Sequence, residues 1–261
     1  YAVIDPFLGS GNLLFNSGAI SDEYIGIDSI RLLPNIYNYL RASTKLFYTE
    51  DIRYIVHEWG NFRTKESYFD FREEWNRNYE RDQYTSDFIL KTLLLFKMCS
   101  NSVVRFNLRG EFNSGFRGAK PQGFFNSSTL DNMVEELNNL ILHLKSKNYD
   151  FYNEDSTQVF SKLPQRGCLL LLDPPYILGS NNVYGKGQYD SESEVRLLEL
   201  ISSTENDFIL FNLIERMESE HNLLLELSEN FKTIELKTWS RTGQAQKSPM
   251  KISEVIVTNI T

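Results

Sequence analysis

Gly-Cys-Leu-Leu-Leu-Leu-Asp-Pro-Pro-Tyr, residues 167–176, is the stretch on which the fold turns. Positions 168–172 are apolar without interruption, whereas a strand with one face in water would alternate. The run reads as a strand buried on both faces, the kind found in the middle of a parallel sheet covered by helices. Asp173 then stands at the carboxyl end of a central strand, which is where open α/β sheets place their ligands.

Outward from this strand the chain alternates strand and helix. Residues 2–4 form a short apolar run that ends in Asp-Pro-Phe-Leu-Gly-Ser-Gly at 5–11, which predicts a strand, a tight glycine turn and a helix start. Residues 23–28 (EYIGID) predict a second strand with an acid at its end, and a helix follows through 30–40. Further on, helical spacing over 133–144 precedes a short strand at 149–152. Beyond the central strand, Ser191-Glu192-Ser193-Glu194 reads as a capping box opening a helix through Leu197, Leu198 and Ile201. A strand at 208–213, a helix at 217–227 and strands at 233–238 and 254–259 complete the pattern. No repeat and no low-complexity tract interrupts it. The expected fold class is α/β, a doubly wound, mostly parallel sheet.

Residues 42–128 have another texture, with Tyr, Phe, Trp, Arg and Glu interleaved. They predict a lobe inserted into a domain made of residues 1–41 and 129–261. Within it, 88–98 (FILKTLLLFKM) predicts a helix buried on most sides. Residues 103–106 and 111–116 flank Asn107-Leu108-Arg109-Gly110 and predict a hairpin or a pair of short extended arms.

A chain of 261 residues with 41% hydrophobic and 24% charged residues can bury a real core and is not disordered. No stretch approaches the roughly 18 apolar residues that a membrane span needs, so no membrane partner is expected. The two cysteines, Cys99 and Cys168, read as reduced thiols of a cytoplasmic protein. His57, His143 and His221 are scattered without ligand spacing, so they read as surface or packing residues and no metal site is expected. The net charge of −8 argues against a generic nucleic-acid binder. The charge is patterned, however. Residues 101–123 hold Arg105, Arg109, Arg117 and Lys120 against Glu111, a net of +3. Residues 237–251 hold Lys237, Arg241, Lys247 and Lys251 with no acid, a net of +4. Two basic loops on an acidic body suit a protein that touches phosphates at a few points, or they are simply solvated.

The chemistry concentrates at Asp173-Pro174-Pro175-Tyr176. Two prolines fix φ and remove two backbone donors, leaving rigid carbonyls beside a carboxylate. Such a set of acceptors with a tyrosine face suits an exocyclic aromatic amine, whose lone pair is delocalised into its ring. Acceptors on both N–H bonds favour the pyramidal form that can attack a methyl sulfonium, and the tyrosine can stack on a flipped base. The alternative is a strand-ending turn without a catalytic role. The glycine turn at 5–11 is weaker by itself, because Leu14 breaks the dinucleotide pattern Gly-x-Gly-x-x-Gly. Asp28, 17 residues beyond Gly11 at the end of the next strand, strengthens it, since an acid there commonly binds ribose hydroxyls. A plain helix N-cap is the competing role for Asp28.

The chain resembles the Dam-type DNA adenine methyltransferases, phage members included. The resemblance rests on residues 5–11, Asp28, Phe71-Arg72-Glu73-Glu74-Trp75-Asn76, the run 100–113 with Arg-Gly-Glu-Phe-Asn at 109–113, and residues 173–176, in the family's order. It covers nearly the whole chain, and the Arg-Gly-Glu-Phe-Asn stretch is its most specific part. It implies a class I methyltransferase-like domain with a target-recognition lobe, S-adenosylmethionine as cofactor, and transfer to N6 of adenine in double-stranded DNA at GATC or a related short site. Asp173, Pro174, Pro175 and Tyr176 are the implied catalytic residues. Asp5, Phe7, Gly9, Gly11, Asp28, Asp155 and Asp173 form the implied cofactor set, with Asp28 on the ribose, Asp155 on the adenine, and Phe7 with the glycine turn around the methionine end. Asn101, Val103, Arg105, Asn107, Arg109, Arg117, Lys120, Arg241 and Lys247 are the implied DNA contacts, Arg105 reading a guanine. A restriction endonuclease is a candidate partner.

Two departures stand out. The family carries a segment upstream of the first strand that closes over the cofactor, whereas this chain begins at Tyr1, almost on that strand. Either that piece is missing from the polypeptide as given or the pocket is incomplete. Gly115 and Ala119 stand where relatives often carry proline and larger residues, which bears on the exact recognition sequence. The competing readings are a non-catalytic or N-terminally truncated DNA-binding relative, or another amino-methyltransferase acting on cytosine N4 or RNA adenine.

Overall fold

The computed structural model describes every residue except 82–83, 101–103, 108, 119–121, 160–161, 163–166, 178–188, 217–218 and 241–249. The chain divides into two compact units, Tyr1–Pro34 with Lys147–Thr261, and Asn35–Ser146. The second unit is wider at both ends than the 42–128 lobe expected from sequence.

The first unit is built on one sheet. Its strands are β1 (Ala2–Asp5), β2 (Glu23–Asp28), β3 (Asn148–Asn153), β4 (Cys168–Leu172), β5 (Asp207–Arg216), β6 (Ser219–Glu220), β7 (Lys232–Ser240) and β8 (Met250–Thr258). They lie in the order β3-β2-β1-β4-β5-β8-β7, with β6 pairing β5 off this path. The contacts β3·β2, β2·β1, β1·β4 and β4·β5 are parallel, and β5·β8, β8·β7 and β5·β6 are antiparallel. All five residues of β4 are buried, as a strand covered on both faces must be. Cys168, Leu170 and Leu172 share one cluster with Ala2, Ile4, Phe208, Leu210, Val255 and Val257. That is every second residue of four strands, the period of a pleated sheet. Leu197, Leu198 and Ile201 of α8 (Ser191–Ser203) and Leu224 and Leu227 of α9 (Asn222–Ser228) cover the same face. Each fully buried leucine of this layer contributes on the order of 2 kcal/mol. The remaining helices of the unit are α1 (Asn12–Asn16) and α7 (Ser156–Val159), and α2 (Leu32–Ala42) runs across the division between the units.

Two sequence expectations change here. The helix expected over 217–227 begins only at Asn222, because Ser219 and Glu220 pair with β5 and His221 caps the helix with its ring. The capping box at 191–194 is not formed. Asp190 caps α8 instead, its Oδ1 accepting the Ser193 N–H at 2.9 Å, and Glu194 turns into the core.

The second unit is helical: the helices expected at 88–98 and 133–144 are present, and two more precede them where the sequence predicted none. It contains α3 (Thr49–Glu58), a 3₁₀ turn (Gly60–Phe62), α4 (Lys65–Glu80), α5 (Ser86–Met98) and α6 (Ser127–Ser146). Thr64 and Thr85 cap α4 and α5 through their hydroxyls. The core is aromatic: Trp75 stacks on Tyr79 and Phe88 and meets Phe112 edge-on, while its indole N–H donates to Thr92 Oγ1 at 2.8 Å. Where a hairpin or a pair of short extended arms was expected, the described residues pair antiparallel at two isolated bridges, Phe106 with Phe112 and Cys99 with Phe116. Backbone bonds join the arms, Asn107 N–H to the Glu111 carbonyl and Asn113 N–H to the Arg105 carbonyl, each at 2.9 Å, and side chains add to them. Asn76 of α4 donates to the Phe112 carbonyl and accepts its N–H, at 3.1 and 2.9 Å. Tyr68 donates its hydroxyl to the Ser114 carbonyl at 2.8 Å, and Ser114 Oγ accepts the Arg105 N–H at 3.0 Å.

Candidate active site

The site grows from the carboxyl edge of the parallel strands. After β1 the chain turns through Gly9 (φ 47°) and Gly11 (φ 72°), a left-handed region that favours glycine. The turn lies close on β2, where a Cβ on Gly26 would come within 2.7 Å of Leu8. The Leu8 N–H donates to the Ile27 carbonyl at 2.9 Å. Asp28 anchors both sides of this junction: Oδ2 accepts the Gly9 N–H and Oδ1 accepts the Ile30 N–H, each at 2.8 Å. The Asp28 carboxyl is raised above its ordinary value by burial, with the two N–H donors pulling the other way.

Asp5, the last residue of β1, is 1% exposed. Its Oδ1 accepts the Phe7 N–H at 3.1 Å. Burial pushes its carboxyl up to about 7, the Phe7 N–H opposes the shift, and the charges of Asp173 and Asp28 add to it. Asp173 follows β4 and is open to solvent at its side chain, while Pro174 is buried. The protein packed around Asp173 raises its pKa by desolvation, the Tyr176 hydroxyl lowers it by donating to Oδ1 at 3.2 Å, and Glu254 raises it. Asp5 therefore feels the acids at the ends of two other strands, Asp28 closing β2 and Asp173 following β4. Phe7 packs edge-on against Tyr189, with ring centroids 5.6 Å apart.

Other expected residues lie elsewhere or serve differently. Asp155 is exposed and its carbonyl accepts the Gln158 and Val159 N–H groups at the start of α7. Arg105, Arg109 and Arg117 are exposed on the second unit. Asn107 is engaged within its own turn, its Oδ1 accepting the Arg109 and Glu111 N–H groups and its Nδ2 donating to Glu111. Asn101, Val103, Lys120, Arg241 and Lys247 lie outside the described residues. Sequence reasoning missed the support that Tyr68 and Asn76 give to residues 112–115. It also missed the buried group formed by Tyr189, Glu194, Asn212 and His221. No spacing rule could have found either, since the partners are 36 and 46 residues apart in the first case. Among the described residues, no set of three or more His, Cys, Asp or Glu side chains could hold a metal ion, and no helix is long and apolar enough to cross a membrane.

A mixed, mostly parallel sheet whose last strands turn antiparallel, with a glycine turn after β1, an acid closing β2 and Asp-Pro-Pro-Tyr after β4, defines an α/β protein of the class I methyltransferase type. Residues 1–242 match the model of the D12 class N6 adenine-specific DNA methyltransferases, and the chain belongs to that family. It is 30% identical over 174 residues to the DNA adenine methylase of Serratia marcescens, covering 67% of this chain and 57% of the relative. With the DNA adenine methylase of Escherichia coli K12 it shares 25% identity over 202 residues, 76% of this chain and 66% of the relative. With the type II methyltransferase M1.LlaDCHI of Lactococcus lactis subsp. cremoris it shares 22% over 260 residues, 98% of this chain and 85% of the relative. The chain thus spans somewhat more than half to about two thirds of the two adenine methylases.

Proposed function

We propose that this chain transfers a methyl group from S-adenosylmethionine to N6 of adenine in duplex DNA, within GATC or a related short site. The carrying observation is the Asp173–Tyr176 turn at the end of a doubly buried strand, beside an acid-lined glycine turn, in a member of this family. When bound, the cofactor supplies an electrophilic methyl group on a sulfonium. The residues present fit such a ligand. Asp5, Asp28 and Asp173 make an edge that favours a cation, and a positive charge nearby would return their carboxyls toward the ionised form. Each Asp28 oxygen accepts one backbone N–H and keeps capacity for a ribose hydroxyl. Phe7, Gly9 and Gly11 would line the methionine end, and Asp155 would meet the adenine ring.

For the target, Asp173 and the Pro174 carbonyl would accept the two amine N–H bonds and leave the nitrogen lone pair pointing at the methyl group. Tyr176, held by its bond to Asp173, would stack on the extruded base. Asp173 is open to solvent, so a proton it takes up can leave to water. The 42–128 lobe would read the site. Arg105 would grip a guanine, with Asn101 and Val103 beside it, and Arg109, Arg117, Lys120, Arg241 and Lys247 would meet phosphates, while Asn107 acts through the turn it closes. A cytoplasmic setting, with a restriction endonuclease as partner, belongs to the same proposal.

Asp173→Ala tests it. Methyl transfer to duplex DNA should fall by on the order of 10² or more, the usual consequence of losing an electrostatic partner of the reacting group. Near-normal turnover by the variant would overturn the assignment.

A further inference from the structure

Among the described residues, one buried acid lies outside the group of Asp5, Asp28 and Asp173. Glu194 of α8 is 1% exposed, and three donors converge on its carboxyl group. The Tyr189 hydroxyl meets Oε2 at 2.5 Å, while Asn212 Nδ2 and His221 Nε2 meet Oε1 at 2.8 and 3.0 Å. The direction of the histidine bond is fixed by the helix it caps. His221 Nδ1 accepts the Leu224 N–H at 3.3 Å, so Nε2 carries the ring proton and donates. Burying a carboxyl group is unfavourable unless its oxygens are met, and here both oxygens have donors.

The place of this group matters. Leu210 of β5 is level with Leu172 of β4. Asn212 lies two residues beyond Leu210 on β5, toward the carboxyl edge that carries the site. Tyr189 reaches from Glu194 to Phe7, meeting it edge-on at 84°, and the Phe7 N–H in turn donates to Asp5. A leucine at position 194 would fill the same space, but it could not fix a hydroxyl, and with the hydroxyl goes the direction of the Tyr189 ring.

We propose that Glu194 is a positioning residue of the cofactor pocket, holding Tyr189 against Phe7 and thereby setting the shape of the glycine turn that receives the cofactor. This rests on the methyltransferase reading above.

The test titrates S-adenosylmethionine and S-adenosylhomocysteine calorimetrically into the whole chain as wild type, Tyr189→Phe, Glu194→Ala and Glu194→Gln. Tyr189→Phe and Glu194→Ala should weaken cofactor binding roughly ten-fold, at the low end of what losing an outer orienting partner does. The KM for cofactor should rise while kcat and DNA affinity hold. Glu194→Gln should recover much of the loss, because its carbonyl still accepts from His221 and Asn212 and its amide can donate to the Tyr189 oxygen. Should Glu194→Ala fail to fold, Tyr189→Phe still decides, since it keeps the ring and two of the three donors. Wild-type cofactor affinity in a folded Tyr189→Phe chain, with only the thermal midpoint lowered, would overturn the positioning role and leave the methyltransferase reading intact. A wild-type chain that binds neither compound would instead overturn that reading, and this inference with it.

Discussion

Asp5→Asn separates what the buried acid does to the fold from what it does for a ligand. Asparagine keeps the shape, and its Oδ1 can still accept the Phe7 N–H, so the substitution removes the charge and little else. The Asp5 carboxyl stands at about 7 in the folded chain against 3.8 as a free side chain. The folded state therefore binds more protons than the unfolded one between those values, and stability falls as pH rises through that window. Below about pH 4 both states are protonated and the group contributes no penalty, and above about 7 the penalty is complete. At about 1.36 kcal/mol per unit, three units give about 4 kcal/mol as an upper bound. Solvent screening does not reduce it, because the side chain is 1% exposed. Denaturant unfolding of both proteins should be measured from pH 4 to pH 8. Asp28 and Asp173 titrate in both and largely cancel in the difference. Asp5→Asn should be the more stable protein by a margin that is smallest at pH 4 and grows to a plateau above pH 7, while binding S-adenosylmethionine more weakly. A margin that does not change with pH would refute the burial argument.

Three further outcomes are expected. Arg105→Ala should lose about 1–3 kcal/mol on a GATC site and little on other sequences, read by methylation of GATC and its single-base variants, whereas equal loss everywhere would assign Arg105 to phosphate. Replacing the target adenine by 2-aminopurine should raise its fluorescence on binding as the base leaves the stack toward Tyr176, and an unchanged signal at saturating protein would count against extrusion. Asn76→Ala strands the Phe112 N–H and carbonyl inside the second unit and should destabilise it by about 1–3 kcal/mol in denaturant unfolding, with unaltered stability showing that the clamp is dispensable.

The first unit was legible because its signals are local. An unbroken apolar run named the central strand, and a glycine turn after one short strand and an acid after the next named its neighbours. In the second unit α5 and most of α6 were legible, but α4 was not, because it buries aromatic and polar residues together, which blurs the apolar period on which a helix assignment depends. In α4, Tyr68, Phe71, Trp75, Asn76 and Tyr79 are all buried, yet Asn76 is there for its two bonds to Phe112 rather than for hydrophobicity. The family motif Phe71–Asn76 was visible in the sequence, but its role as a platform required the partner 36 residues away. The failed capping box has the same cause. Glu194 sits at the right spacing to cap, but Asp190 already receives the Ser193 N–H, and three buried donors hold Glu194 inward.

On the proposed function, a body with net charge −8 must overcome general repulsion to meet DNA, so the cations at the contact have to be well placed. The segment around Arg105 has the construction such placement needs. Its backbone is fixed from below: the Arg105 N–H donates to Ser114 Oγ, the Ser114 carbonyl accepts from Tyr68, and Asn76 holds Phe112 on both sides. The Arg105, Arg109 and Arg117 side chains stay exposed above that platform. A backbone held in this way at Arg105 reduces the freedom to be lost on binding, which would suit the base-reading role proposed for it. A loop that served phosphate contact alone would gain nothing from Asn76, because a charge reaching a phosphate tolerates a wandering backbone. Under the proposed function, this support is the reason to test base reading at Arg105 together with Asn76.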